Sequence, residues 1–180
     1  MKRRPFPFTG TVYLLLFFPF FLQDGCPDTG PTSPDTVYVD AVKGNDSTGQ
    51  RGNKDKPFNT IQMGINRVRA EGDTVLVMEG TYYGDIDLGS KSITVKSESG
   101  PNKTIIYGSG SGSAVAIKGD SSIFQGFTVM GSESTFGGFF VNSMDTTIRN
   151  NIITGNGYGI GISLSSNSLI VNNLIHNNNH

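Results

Sequence analysis

The chain has 180 residues, 36% of them hydrophobic, with 24 glycines and no tryptophan; that is enough for one domain with its own core, and the Gly, Asn and Ser content points to frequent turns. Formal net charge is −1 and no basic run follows the first residues, which argues against nucleic acid, where phosphate neutralisation needs clustered Lys and Arg. The single cysteine excludes an internal disulfide, and two histidines, His176 and His180, cannot close a zinc site alone.

Lys2, Arg3 and Arg4 give a positive start, and the run Val12 to Leu22 (VYLLLFFPFFL) is apolar and holds Pro19. This is the order of a secretion signal, expected over residues 1–25. The run falls short of the roughly 20 apolar residues of a spanning helix, so a cleaved leader is the better fit. Cys26 follows Gly25 just beyond it, which resembles a bacterial lipoprotein cleavage site. A lipid on Cys26 would then be the chain's link to a membrane; the other reading is an ordinary leader with an incidental cysteine. Residues 26–35, rich in Pro, Thr and Ser, read as a flexible tether. The expected location is extracytoplasmic, as a secreted protein or an outer-surface lipoprotein.

Residues 36–180 read as one all-β domain with a short capping helix. Thr36 to Val42 alternates as a strand. After a polar loop to Lys56, Asn59 or Thr60 can cap a helix whose apolar stripe is Ile61, Ile65 and Val68, with Gly72 at its end. A stack of β-coils has an apolar end that invites edge association, and this helix is placed to cover it, so residues 36–73 form a cap.

Coils follow over residues 74–180. The segments SSIFQGFTVMGS, TTIRNNIITGNG and SLIVNNLIHNNN share first isoleucines Ile123, Ile148 and Ile170, spaced 25 and 22 residues apart, a solenoid period. These isoleucines are expected to point inward and stack about 4.8 Å apart. Three residues on, Gly126, Asn151 and Asn173 align, and Asn151 with Asn173 is expected to form an internal amide ladder. The chain stops at NNNH, directly after a repeat, so the stack is expected to be incomplete at its C-terminal end.

Several stretches resemble right-handed parallel β-helix proteins of the pectin-lyase-like superfamily: YVDAVKGNDSTG, KPFNTIQMGI and GDTVLVMEGTYYGDIDL at the front, then ITVKSESGPNKTIIYGSG and IRNNIITGNGYGIGI. The front is similar to the amino-terminal pattern of family-nine pectate lyases. The resemblance spans about Val37 to Asn179. It implies a β-helix and, if the activity carries over, Ca²⁺-assisted β-elimination on a polyuronate, with clustered carboxylates for the metal and a Lys or Arg as base. In the family that acidic cluster lies in later coils. No Asp-Asp pair occurs in the repeats here, so no catalytic residue is transferred.

The residues themselves offer weaker candidates. Lys96, Lys118 and Arg149 lie on or beside coil strands and could meet a uronate, although a lone surface base is usually a solvated charge. Asp120, Asp145 and Asn167 each stand three residues before their coil's isoleucine and would align on one edge, where they could hold Ca²⁺; Asp and Asn also simply suit turns. The loop with Asp40, Gly44, Asn45, Asp46 and Asp55 is oxygen-rich but lacks EF-hand spacing. Phe136, Phe139, Phe140 and Tyr158 could stack on sugars or fill the core. Three functions remain in view: an exported, carbohydrate-associated β-helix that binds a polysaccharide or cell-surface glycan without cleaving it; the front of a pectate-type lyase; and an envelope adhesin or assembly module.

Overall fold

The computed structural model describes residues 35–180 apart from Ser134. The expected leader, Cys26 and the tether up to residue 34 lie outside these residues.

The first strand, β1 (Thr36–Val39), buries Val37 and Val39. It ends sooner than the expected Val42 because the Asp40 carboxylate accepts the N–H groups of Val42 and Lys43 (2.8 and 2.9 Å) and turns the chain. The helix α1 (Ile61–Asn66) starts at Thr60, whose hydroxyl accepts the Met63 N–H. Asp46 secures that start by accepting the N–H groups of Asn59 and Thr60 and the Thr60 hydroxyl proton.

Ile61 and Ile65 bury against the core as expected, but the helix closes at Asn66, well before Gly72. The buried Asp73 carboxylate explains the early end. It accepts the N–H groups of Arg69 (2.9 Å) and Ala70 (3.3 Å), drawing that segment into a turn. Val68 therefore packs on the core from outside the helix. Gly64 is where the helix comes closest to the sheet: a Cβ there would stand 2.5 Å from Val39 Cγ2.

Four coils of three strands follow. They are β2 (Thr74–Val77), β3 (Gly80–Tyr83) and β4 (Ile86–Asp87); β5 (Thr94–Ser97), β6 (Thr104–Tyr107) and β7 (Val115–Ile117); β8 (Ile123–Gln125), β9 (Thr128–Met130) and β10 (Gly137–Val141); and β11 (Thr147–Arg149), β12 (Ile152–Ile153) and β13 (Tyr158–Ile162). β14 (Leu169–Val171) and β15 (Leu174–Ile175) begin a fifth. Like strands stack in parallel into three faces. The first runs β1-β2-β5-β8-β11-β14, the second β3-β6-β9-β12-β15 and the third β4-β7-β10-β13.

Inward columns fill the core. On the first face Val37, Val75, Val95, Phe124, Ile148 and Ile170 stack. The second contributes Tyr82, Ile106, Val129, Ile153 and Ile175, and the third Ile86, Val115, Phe139 and Ile160. One coil departs from the expected register. Ile123 pairs with Thr147, and Phe124 is the residue beside Ile148. Phe124 is fully buried while Ile123 is half-buried. Matching isoleucine to isoleucine slips the strand by one residue, which turns every side chain to the other face.

The corner residues fix the true register. Gly126, Asn150 and Asn172 share one corner with φ of 86°, 57° and 55°, a left-handed conformation that Gly and Asn tolerate. Gly126 thus matches Asn150, and the residue stacked on Asn151 is Phe127, whose N–H donates to Asn151 Oδ1 at 3.0 Å. The Asn151–Asn173 ladder itself forms as expected: Asn173 Oδ1 accepts from Asn151 N (3.0 Å) and Asn151 Nδ2 (3.1 Å), and Asn173 Nδ2 donates to the Ile148 carbonyl (2.8 Å). A second ladder, which the sequence reading did not single out, repeats the geometry five residues on. Asn178 Oδ1 accepts from Asn156 N and Nδ2, both at 3.1 Å, and Asn156 Oδ1 accepts the Ser132 N–H.

Candidate functional site

The outward surface of the third face carries a groove. Along one outward column the register places Asp87, Ala116, Phe140 and Gly161 side by side on β4, β7, β10 and β13. Ala116 and Gly161 are small, so Phe140 stands between two low positions. Phe136 and Tyr158 rise at the start of β10 and β13, where the Tyr158 N–H donates to the Phe136 carbonyl (3.0 Å). Phe136 is 38% and Tyr158 45% exposed. With Lys118 they line an open cavity of about 500 Å³. The His180 ring stacks on Tyr158, with centroids 4.9 Å apart.

Phe139, expected with these aromatics, turns the other way. Strand alternation sends it inward, where it is fully buried and meets Phe124 edge-on at 5.2 Å. It is a core residue, and Phe140 takes the outward position.

The three candidate bases do not converge. Lys96 and Arg149 lie on the first face in one outward column, separated by Gln125, and Arg149 Nε donates to Gln125 Oε1 (2.6 Å). Lys118 follows β7 on the third face, and its ammonium pairs with Asp87 Oδ2 at 2.6 Å. Partial burial pushes the Asp87 carboxyl up, but the hydrogen bonds from Lys118 and the Gly89 N–H, with the Lys118 charge, outweigh it and hold Asp87 below the usual carboxylate range.

The aspartate edge is also shifted. Asp145 and Asn167 stack at a left-handed corner, each with φ of 55°, and their neighbour one coil back is Ser121, φ 57°. Asp120 sits one position earlier and accepts the Met144 N–H (2.8 Å). The column thus holds one carboxylate, and its Asp and Asn supply a conformation that other residues adopt at a cost of about 1–2 kcal/mol. The oxygen-rich loop is similarly engaged: Asp40 and Asp46 cap as described, and Asn45 Oδ1 accepts the Ser47 and Thr48 N–H groups. Among the described residues, no three His, Cys, Asp or Glu side chains group as a metal would need.

One exposed feature went unnoticed in the sequence. Tyr83 and Tyr107 stand on successive coils of the second face, ring centroids 6.1 Å apart. The signal for them was the shared Tyr-Gly that ends β3 and β6, at Tyr83-Gly84 and Tyr107-Gly108.

Parallel three-faced coils, asparagine ladders and a helical cap define a β-solenoid. Residues 59–180 match the family described as right handed beta helix region, and the chain belongs to that family. Comparison with curated proteins and with solved structures gave no significant match.

Proposed function

We propose that this β-helix is a non-catalytic glycan-binding module of an exported protein, and that the groove on the third face is its binding surface. The observation that carries the reading is the set Phe136, Phe140 and Tyr158 around small floor residues. Aromatic rings offer broad, rigid, apolar contact at low entropic cost, and a pyranose ring presents an apolar C–H face that suits them. Binding without cleavage is favoured because Lys96 and Arg149 lie on another face and Lys118 is held by Asp87. Export rests on the basic start and apolar run of residues 2–22, with Cys26 as the lipid-bearing residue where the chain is anchored.

The test is titration calorimetry of the purified domain against a panel of oligosaccharides. Tyr158→Ala and Phe136→Ala are each expected to weaken binding about tenfold, the equivalent of about 1.4 kcal/mol, with little change in unfolding midpoint because both rings are partly exposed. Equal affinity of both variants and the parent would remove the groove from the reading. Release of unsaturated uronide from a polyuronate would replace binding with lyase activity. The mass of the mature N-terminus from cells distinguishes a diacylated Cys26 from a simply cleaved leader.

A further inference from the structure

We infer that the glycan recognised by the third-face groove is electrically neutral and that the groove discriminates against polyuronates. The inference rests on the glycan-binding reading above and adds the class of sugar. Lys118 is the cation lining the groove, and its ammonium lies 2.6 Å from Asp87 Oδ2. Asp87 opens the same outward column that Ala116 and Phe140 continue, so the carboxylate stands at the groove's own end. The remaining polar lining is neutral hydroxyl, Ser113 and Thr135.

A uronate entering this surface meets a cation that Asp87 already engages. A uronate that pairs with the half-exposed Lys118 ammonium sits close to the Asp87 carboxylate already bound there. Two like charges about 4 Å apart in water repel by enough to weaken binding about fivefold. A neutral pyranoside meets no such opposition. Its apolar face rests on Phe136, Phe140 and Tyr158, and its hydroxyls can donate to Asp87 and accept from Lys118 without separating the pair.

The experiment is calorimetry with the purified full-length protein against xylohexaose, cellohexaose, fully methyl-esterified hexagalacturonate and the free hexagalacturonate acid. The last two share a sugar backbone, and esterification removes the charge while adding methyl groups, so the unesterified neutral oligomers and the salt dependence separate charge from methyl contact. The expected result is a neutral ligand that binds at least about fivefold more tightly than the free acid, with an affinity that does not change with salt. In Asp87→Asn the ratio of acid to neutral affinity is expected to rise about fivefold, because Lys118 is released and a carboxylate is removed. Free acid binding as tightly as every neutral ligand, and more weakly as salt rises, overturns the inference while leaving the groove a glycan site. Failure of all four to bind overturns both.

Discussion

Asn151 bridges two coils at once: its Oδ1 accepts the Phe127 N–H at 3.0 Å, while its Nδ2 donates to the Phe124 carbonyl at 3.3 Å. A single buried carboxamide thereby closes the corner between β8 and β9 from one coil away. Asn151→Ala leaves the Phe127 N–H and the Phe124 carbonyl without these partners, a cost of about 1–3 kcal/mol. Asn150→Gly is the control. Asn150 is exposed at the left-handed corner, where glycine is at ease, and its replacement should cost no more than about 1 kcal/mol. Urea unfolding midpoints compare the two; equal losses would mean that the amide ladder contributes nothing special.

The register of the β8 coil makes a second prediction. Phe124 is fully buried against Phe127 and Phe139, with ring centroids 4.8 and 5.2 Å away, so Phe124→Ala should cost about 3–5 kcal/mol. Ile123, half-buried on the outer side of the strand, should cost less than about 1.5 kcal/mol on truncation to Ala. The reverse order would restore the alignment of Ile123 with Ile148. Ile148→Ala, at 1% exposure, belongs with the large losses, at about 2–5 kcal/mol.

The cap can be tested at its closest contact. Gly64→Ala places a methyl group 2.5 Å from Val39 Cγ2 and 3.2 Å from Val75 Cγ1. The better helix propensity of Ala is worth about 1 kcal/mol, but overpacking typically costs about 1–3 kcal/mol, and the shortness of the contact makes overpacking the larger effect. Net destabilisation is expected by thermal unfolding. A stabilised variant would show that the helix lifts off the Val37–Val39 strand at little cost.

The fold was legible because its signals were redundant. The Asn-Asn doublets at Asn150–Asn151 and Asn172–Asn173 mark a corner and a ladder in the same two positions of successive coils. In the Ser121 coil those positions hold Gly126 and Phe127, which share only left-handed tolerance and burial with them, so residue identity misled the alignment by one step. Conformation was the better guide: Gly126 and Asn150 both suit positive φ. That one-step error also put Asp120 in the column of Asp145, where Ser121 stands. The groove was half legible. Adjacent Phe139 and Phe140 must point to opposite sides of a strand, but nothing local says which faces out. The early end of α1 was hidden for a different reason, since it depends on Asp73 reaching back to Arg69 and Ala70.

Asp73 also sets an acid limit on the cap. Its carboxylate is fully buried and receives the Asp35 N–H (2.8 Å), the Arg69 and Ala70 N–H groups and the Arg51 guanidinium (3.1 Å), which also pairs with Asp35 at 3.0 Å. Burial pushes the Asp73 carboxyl up, but the three backbone N–H groups and Arg51 outweigh it, and its pKa lies below the usual value of 3.8. A carboxylate with a depressed folded-state pKa contributes stability that is fully present above its unfolded pKa, and loses it as pH falls through the folded value. The domain should therefore hold its Asp73-dependent stability from neutral pH down to about pH 4 and lose it progressively below that. Asp73→Asn should unfold more easily at pH 7 and show a shallower decline below pH 4, because the variant has no carboxylate to protonate. Denaturant titrations of the two proteins across this range check the prediction, and parallel acid profiles would show that Asp73 does not set the acid limit.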